Sequence, residues 1–379
     1  MKKNYRGTRG IPTTFIWTTV LGFLLLTACM RNNQNRQLLR DFNQVNLVAN
    51  NGNYGAAHVD TTLQNAWGIA FSPTGIAWVN ANAGHVSELY DKDGNIVRPP
   101  VAIPSPGDTI NGTPTGIVFS GTTDFMLSNG KGALFLFVGD DGVFSGWNPP
   151  PANRALQIKD NSATSSYTGL ALASNGGSNF LYAANFKTGK IDAWDNMLTP
   201  QSLPFSDPDL PEGYAPFNIQ AIGSWLYVTY AKVGSDGDEE HGVGLGFVDI
   251  FNPDGSFVRR FASRGTLNAP WGITQAPPDF FNDNDNDKDD QGQKSKKQTS
   301  NGDPLILVGN FGDGYINAYS LSGDFLGQLK SHGKRIWIDG LWALVFPPAS
   351  AMSIDPNRLY FAAGPADEKD GLFGYIIKE

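Results

Sequence analysis

Four asparagines recur at one point of a repeated pattern. Asn80 is followed by Gly84, Asn185 by Gly189 and Asn310 by Gly314, each four residues on, and Asn129 by Gly132, one residue shorter. Each Asn closes an apolar segment and each Gly opens the next. Trp67, Trp271 and Trp342 stand where other apolar segments begin, and Asp339 lies just before the last of them. Amides hydrogen-bond at neutral pH without exchanging protons, and an indole offers an apolar face with one N–H. Gathered around one concave opening, such residues suit a small polar ligand, a sugar or a protein partner. Turn capping by Asn and strand packing by Trp would leave the same pattern.

Proton chemistry has fewer candidates. His58, His85, His241 and His332 occupy different places in their repeats, and no HExxH, serine elbow or P-loop occurs. Asp339 is the best single carboxylate. Asp283, Asp285, Asp287 and Asp289 alternate as calcium-loop ligands do. An EF-hand loop needs Gly at its sixth place and Glu at its twelfth, and here those places hold Lys288 and Lys294. A solvated loop fits that composition, as it does the acidic turn Asp236, Asp238, Glu239 and Glu240. No cofactor is expected, with calcium the one open candidate.

The elements that must position these residues are short strands. Trp67-Gly-Ile-Ala-Phe71, Thr115-Gly-Ile-Val-Phe119, Thr168-Gly-Leu-Ala-Leu172, Phe217-Asn-Ile-Gln220, Trp271-Gly-Ile273 and Trp342-Ala-Leu-Val-Phe346 are six versions of one opening, spaced 48, 53, 49, 54 and 71 residues apart. The fifth copy shows the whole unit: 269–274, 305–310, 314–319 and 324–329 are four apolar segments separated by turn residues. Such units are stable only when packed on copies of themselves. Periods of this length with several strands each predict an all-β, six-bladed β-propeller of four-stranded antiparallel blades. The sixth copy supplies only three strands. The alternating segment 44–49 fills the gap, completes the last blade and closes the ring, leaving no exposed sheet edge.

Composition agrees. Aromatics are 12% and charged residues 17%, too apolar for a disordered chain and suited to many packed strands. The formal charge is −8 and no basic stripe is present, which argues against nucleic acid as a partner.

The first residues are a targeting segment. Lys2, Lys3, Arg6 and Arg9 form a basic n-region, followed by an apolar stretch from about Phe15 to Leu26 and the run Leu26-Thr27-Ala28-Cys29. This resembles the lipobox of bacterial lipoproteins, and Cys29 is the only cysteine. Residues 1–28 are thus expected to be a lipoprotein signal peptide, with lipid attached at Cys29 and 29–43 a flexible tether. Residues 44–379 form the propeller, interrupted by a disordered insertion at 279–303. The membrane is then a partner through the lipid. The site is the cell envelope, and the outer membrane in a Gram-negative cell.

The Trp-Gly-Ile openings, the run 307–319, Ile338-Asp-Gly-Leu-Trp-Ala-Leu344, Ala363-Gly-Pro365 and Gly371-Leu-Phe-Gly374 together resemble a family of secreted bacterial six-bladed propellers related to NHL-repeat proteins. The resemblance implies the fold and an exported location, and no activity. Calcium-dependent lactonases and phosphotriesterases of similar shape use Glu, Asn and Asp around the ion. The Asn set is present here, but no matching Glu stands near a first strand. A lipid-anchored binding or scaffold propeller is therefore expected for the chain, with a calcium-dependent hydrolase or lyase as the alternative.

Overall fold

The computed structural model describes Met1 and residues 37–149, 153–282, 304–351 and 353–379. The signal segment, Cys29, most of the tether and Asp283, Asp285, Asp287 and Asp289 lie outside the described residues. Six antiparallel sheets are arranged as the blades of a propeller. Their innermost strands are Ala66–Phe71, Pro114–Phe119, Tyr167–Asn175, Tyr214–Ile222, Pro270–Ala276 and Leu341–Val345. Each touches the next around the ring.

The six openings repeat because these inner strands crowd the axis. A Cβ added at Gly68 would stand 2.2 Å from the carbonyl oxygen of Thr115, and one at Gly116 would stand 2.5 Å from the Leu170 nitrogen. At Gly272 it would meet the Trp342 carbonyl at 2.7 Å. Real Cβ atoms do not approach that closely, so glycine is the residue that lets neighbouring blades meet. In the fourth blade Asn218 takes this place and turns its side chain to use. Its Nδ2 donates to the Trp271 carbonyl at 2.9 Å and its Oδ1 accepts the Ile219 N–H at 2.8 Å. The space between the inner strands shrinks to about 20 Å3, lined among others by Gly68, Gly116, Asn218 and Ala343.

Ring closure occurs through the expected segment. Phe42–Ala49 pairs antiparallel with Leu372–Lys378, from Phe42 opposite Lys378 to Ala49 opposite Leu372. Phe42, Leu47, Val48 and Ala49 are buried. Two boundaries differ from the sequence reading. Leu38 and Leu39, assigned to the tether, are already buried. Pro278–Phe281, partly assigned to the insertion, is a short 3-10 helix with both phenylalanines buried. The reason is apolar contact: Phe280 and Phe281 pack on Phe42 with ring centroids 5.0 and 6.2 Å away.

Candidate functional site

The register of the blades shows what each candidate residue does. Asn185 stands opposite Tyr167 and Asn310 opposite Pro270, at the last pair of the inner and second strands. In the first blade that place belongs to Ala81, opposite Ala66, so Asn80 is one residue out of step. In the second blade it belongs to Gly139, opposite Pro114. Asn129 lies outside the second strand, Phe135–Gly139, and is exposed in a loop, where its side chain pairs with that of Asn148. The apolar run ending at Asn129 imitated a strand because turn residues follow it.

Three of the four asparagines are buried, and the Nδ2 of each donates within the protein. Asn80 Nδ2 donates to the Thr115 carbonyl of the next blade at 3.0 Å. Asn185 Nδ2 donates to Ser165 Oγ at 3.0 Å and to Asp192 Oδ2 at 2.9 Å. Asn310 Nδ2 donates to the Thr266 carbonyl at 2.8 Å and to Asp313 Oδ1 at 3.0 Å. None of these amides lines the mouth cavity. Trp271 is likewise structural, its Nε1 donating to the Thr168 carbonyl at 2.9 Å.

Trp67 and Trp342 do reach the mouth. They stack on each other with centroids 3.5 Å apart, and Phe311 stacks on Trp342 at 3.7 Å. The residues preceding the four inner-strand glycines, and those preceding Asn218 and Ala343 in the other two blades, thus form one tier around the axis. That tier is aromatic at Trp342, Trp67, Trp271 and Phe217, and carries hydroxyls at Thr115 and Thr168. Above it opens a cavity of about 740 Å3 whose walls include Trp67, Trp342, Phe186 and Thr168. Its rim carries Asp140, Asp236, Asp238, Glu239 and Glu368.

Glu368 is the carboxylate that the sequence reading did not find. It lies in the turn after the second strand of the sixth blade, Leu359–Ala363, and not near a first strand. Ala366, Asp367 and Glu368 have φ of 59°, 54° and 62°, three consecutive left-handed residues without a glycine. Each such residue costs roughly 1–2 kcal/mol, so the turn persists only because other contacts determine it. One is Asp339, whose Oδ2 accepts the Ala366 N–H at 3.0 Å. Asp339, the best single carboxylate of the sequence, is exposed and holds this turn.

That turn directs Glu368 inward. Its Oε2 accepts a hydrogen bond from Asn65 Nδ2 at 2.6 Å, and Asn65 Oδ1 accepts one from Trp342 Nε1 at 2.9 Å. Burial pushes the Glu368 carboxyl up to about 7, with help from the charges of Glu239, Asp140 and Asp238 and against the Asn65 hydrogen bond. Burial also raises Asp140. The hydrogen bond to Glu239 raises His241, and the charges of Glu368 and Asp313 add to it. A half-buried carboxyl near neutrality can bind a cation or exchange a proton. Among the described residues no three His, Cys, Asp or Glu side chains converge to hold a metal ion.

Other buried carboxylates are used elsewhere. Asp249 and Asp207 both pair with Arg260. Glu88 accepts a hydrogen bond from Thr62 and is pushed up to about 7 by burial.

No protein-family model matches the chain. It is 33% identical over 353 residues to an uncharacterized protein of Acanthamoeba polyphaga mimivirus, covering 89% of this chain and 80% of that protein. A second uncharacterized mimivirus protein is 33% identical over 356 residues, covering 89% and 86%. Among solved structures, a streptogramin B lyase superposes with a TM-score of 0.48 at 12% identity, covering 88% of this chain and 97% of that one. A gluconolactonase from Xanthomonas campestris superposes with a TM-score of 0.46 at 12% identity, covering 82% and 86%.

Proposed function

The chain belongs to the family of these mimivirus proteins, and we propose that it is a binding module whose ligand site is the mouth of the propeller. The observation that supports this reading is the cavity of about 740 Å3, floored by Trp67 and Trp342 and rimmed by carboxylates. Its size and its mixture of apolar floor and few placed polar groups are those of small-molecule sites. The test is tryptophan fluorescence during a screen of small polar ligands, since Trp67 and Trp342 would report occupancy directly. A ligand whose signal and affinity survive Trp67→Ala, with folding confirmed by circular dichroism, would place the site elsewhere.

Export and lipid anchoring belong to the same proposal. The basic n-region, the apolar stretch and Cys29 after Leu26-Thr27-Ala28 support it. A tethered ring presents its binding face at a membrane surface, to a small ligand or an envelope protein. Cys29→Ala is expected to release the protein from membranes or block its processing, read by cell fractionation and gel mobility. Unchanged fractionation and mobility would remove the anchor.

Glu368 supports a second reading, an enzyme of the hydrolase or lyase type. A carboxyl pushed up to about 7 and oriented by Asn65 is suited to general acid–base work. Turnover in a lactone and ester screen, with and without calcium, lost in Glu368→Gln, would establish it. Activity untouched by that change would remove it.

A further inference from the structure

Resting on the reading of the mouth as a binding site, we infer that its ligand is a small organic cation carrying ammonium or guanidinium groups. The first reason is charge. Asp140, Asp236, Asp238, Glu239 and Glu368 line the cavity, where Lys187 is the one lysine or arginine among the described lining residues, and His241 pairs with Glu239 at 3.5 Å. An anionic ligand would enter against that field, whereas a cation is drawn in by it.

The second reason is the floor. Indole faces attract cations, most strongly where water is excluded. Trp342 is covered on both faces, by Trp67 and Phe311, so Trp67, 5% exposed and resting one face on Trp342, is the indole left to supply that surface at the bottom of the cavity. Trp67 also has a buried Nε1 with no hydrogen-bond partner among the described residues. Such donors are rare in folded proteins. A ligand with an acceptor beside its cationic group would satisfy it.

The third reason is the placement of Glu368. Its turn holds three left-handed residues that bring a carboxylate to the cavity, and its hydrogen-bond partner there, Asn65, is a neutral amide. Asp249 in the fourth blade and Asp207 in the connection leading to it show the contrasting solution, with Arg260 between them. The same burial that raises Glu368 adds a signature. A cation favours the ionised carboxylate. Near pH 7, binding therefore releases a fraction of a proton from Glu368 Oε to the buffer.

The experiment is titration calorimetry of the full chain with spermidine at pH 7 and 150 mM NaCl, in two buffers of different ionisation enthalpy. Glucose and gluconate serve as neutral and anionic comparators. Saturable spermidine binding with proton release is expected. Glu368→Gln should weaken it about tenfold and abolish the proton release. Glu239→Gln, on the rim, should weaken it less and serves if Glu368→Gln does not fold. No spermidine binding at millimolar concentration overturns the inference, as does affinity unchanged in both variants. If glucose or gluconate binds instead and Trp67→Ala abolishes that binding, the mouth remains the site and only the cation is wrong. If spermidine binds equally to wild type, Glu368→Gln and Trp67→Ala, the mouth is not its site and both readings fail.

Discussion

The waist and the mouth of the propeller are built from the same six inner strands, yet they differ in every property that matters to a ligand. At the waist the blades repeat one another. Glycine at 68, 116 and 272 lets adjacent backbones approach, and the space left is about 20 Å3. At the mouth the repeat breaks down: aromatics face hydroxyls across the axis, and acidic side chains come from three different blades around a cavity of about 740 Å3. What recurs in most blades holds the ring together, as repeat logic predicts. What occurs once, such as Glu368 or Asp140, is free to serve a ligand. The repeated asparagines fall on the structural side of that division.

The comparison can be broken at several points. The heaviest blow to waist and mouth together is removal of residues up to Ala49. It strips Phe42, Leu47, Val48 and Ala49 from the last blade, a loss of about 5–10 kcal/mol of apolar burial. It also bares the edge of Leu372–Lys378. The truncated protein is expected to aggregate, and a soluble form with an unchanged melting temperature would contradict the closure.

Gly68→Val strikes the waist alone. Its new side chain would run into the Thr115 carbonyl, and overpacking against backbone costs about 3 kcal/mol or more. Gly52→Ala, where a Cβ meets nothing within 4 Å, should change stability by less than about 0.5 kcal/mol. Chemical denaturation of the pair measures the contrast. Equal effects would mean the waist is not tightly packed.

Glu368→Gln tests the mouth through pH. The folded carboxyl is raised from 4.5 to about 7, so between those values the folded state binds more protons than the unfolded one. Its stability therefore falls as pH rises through that window. Replacing the acid by a neutral amide removes the loss. The variant should match wild type near pH 4 and exceed it at pH 8 by about 1–3 kcal/mol, allowing for partial access to water. Melting curves across pH 4–8 read this directly, and parallel wild-type and variant profiles would show that Glu368 is not desolvated.

The smallest effect separates a packed asparagine from a false one. Asn80→Ala leaves the Thr115 carbonyl without its 3.0 Å partner and should cost about 1–3 kcal/mol. Asn129→Ala, in an exposed loop, should cost less than about 0.5 kcal/mol. Neither is expected to alter ligand binding. A binding defect in Asn80→Ala without loss of stability would return the amides to the site.

The blades were legible in the sequence because their signal is local and repeated. A Gly flanked by aromatic or Thr and by Ile or Leu reads alike at positions 68, 116, 169 and 272, and the missing fourth strand of the last copy pointed to 44–49. The mouth was less legible because its residues do not repeat. Trp67 and Trp342 were found through the openings they share. Glu368 was missed because its place depends on a left-handed turn, and neither Ala366 nor Asp367 advertises that conformation. Register offered one available signal. The residue following the second strand stands beside the axis, and in the second blade that residue is Asp140. Counting from the false strand at Asn129 hid it.

Closing the last blade with Phe42–Ala49 has a consequence for how the chain reaches its folded state. The two partners lie roughly 330 residues apart, and bringing such distant segments together costs about 5 kcal/mol of chain entropy. That sum is repaid only when the final strand, Leu372–Lys378, exists to receive its partner. During synthesis the first strand must therefore wait while five blades form around it, with its apolar residues unburied. Contacts of this range slow folding. A chaperone acting on this protein would find its longest-lived client surface at the beginning of the propeller and not at its growing end.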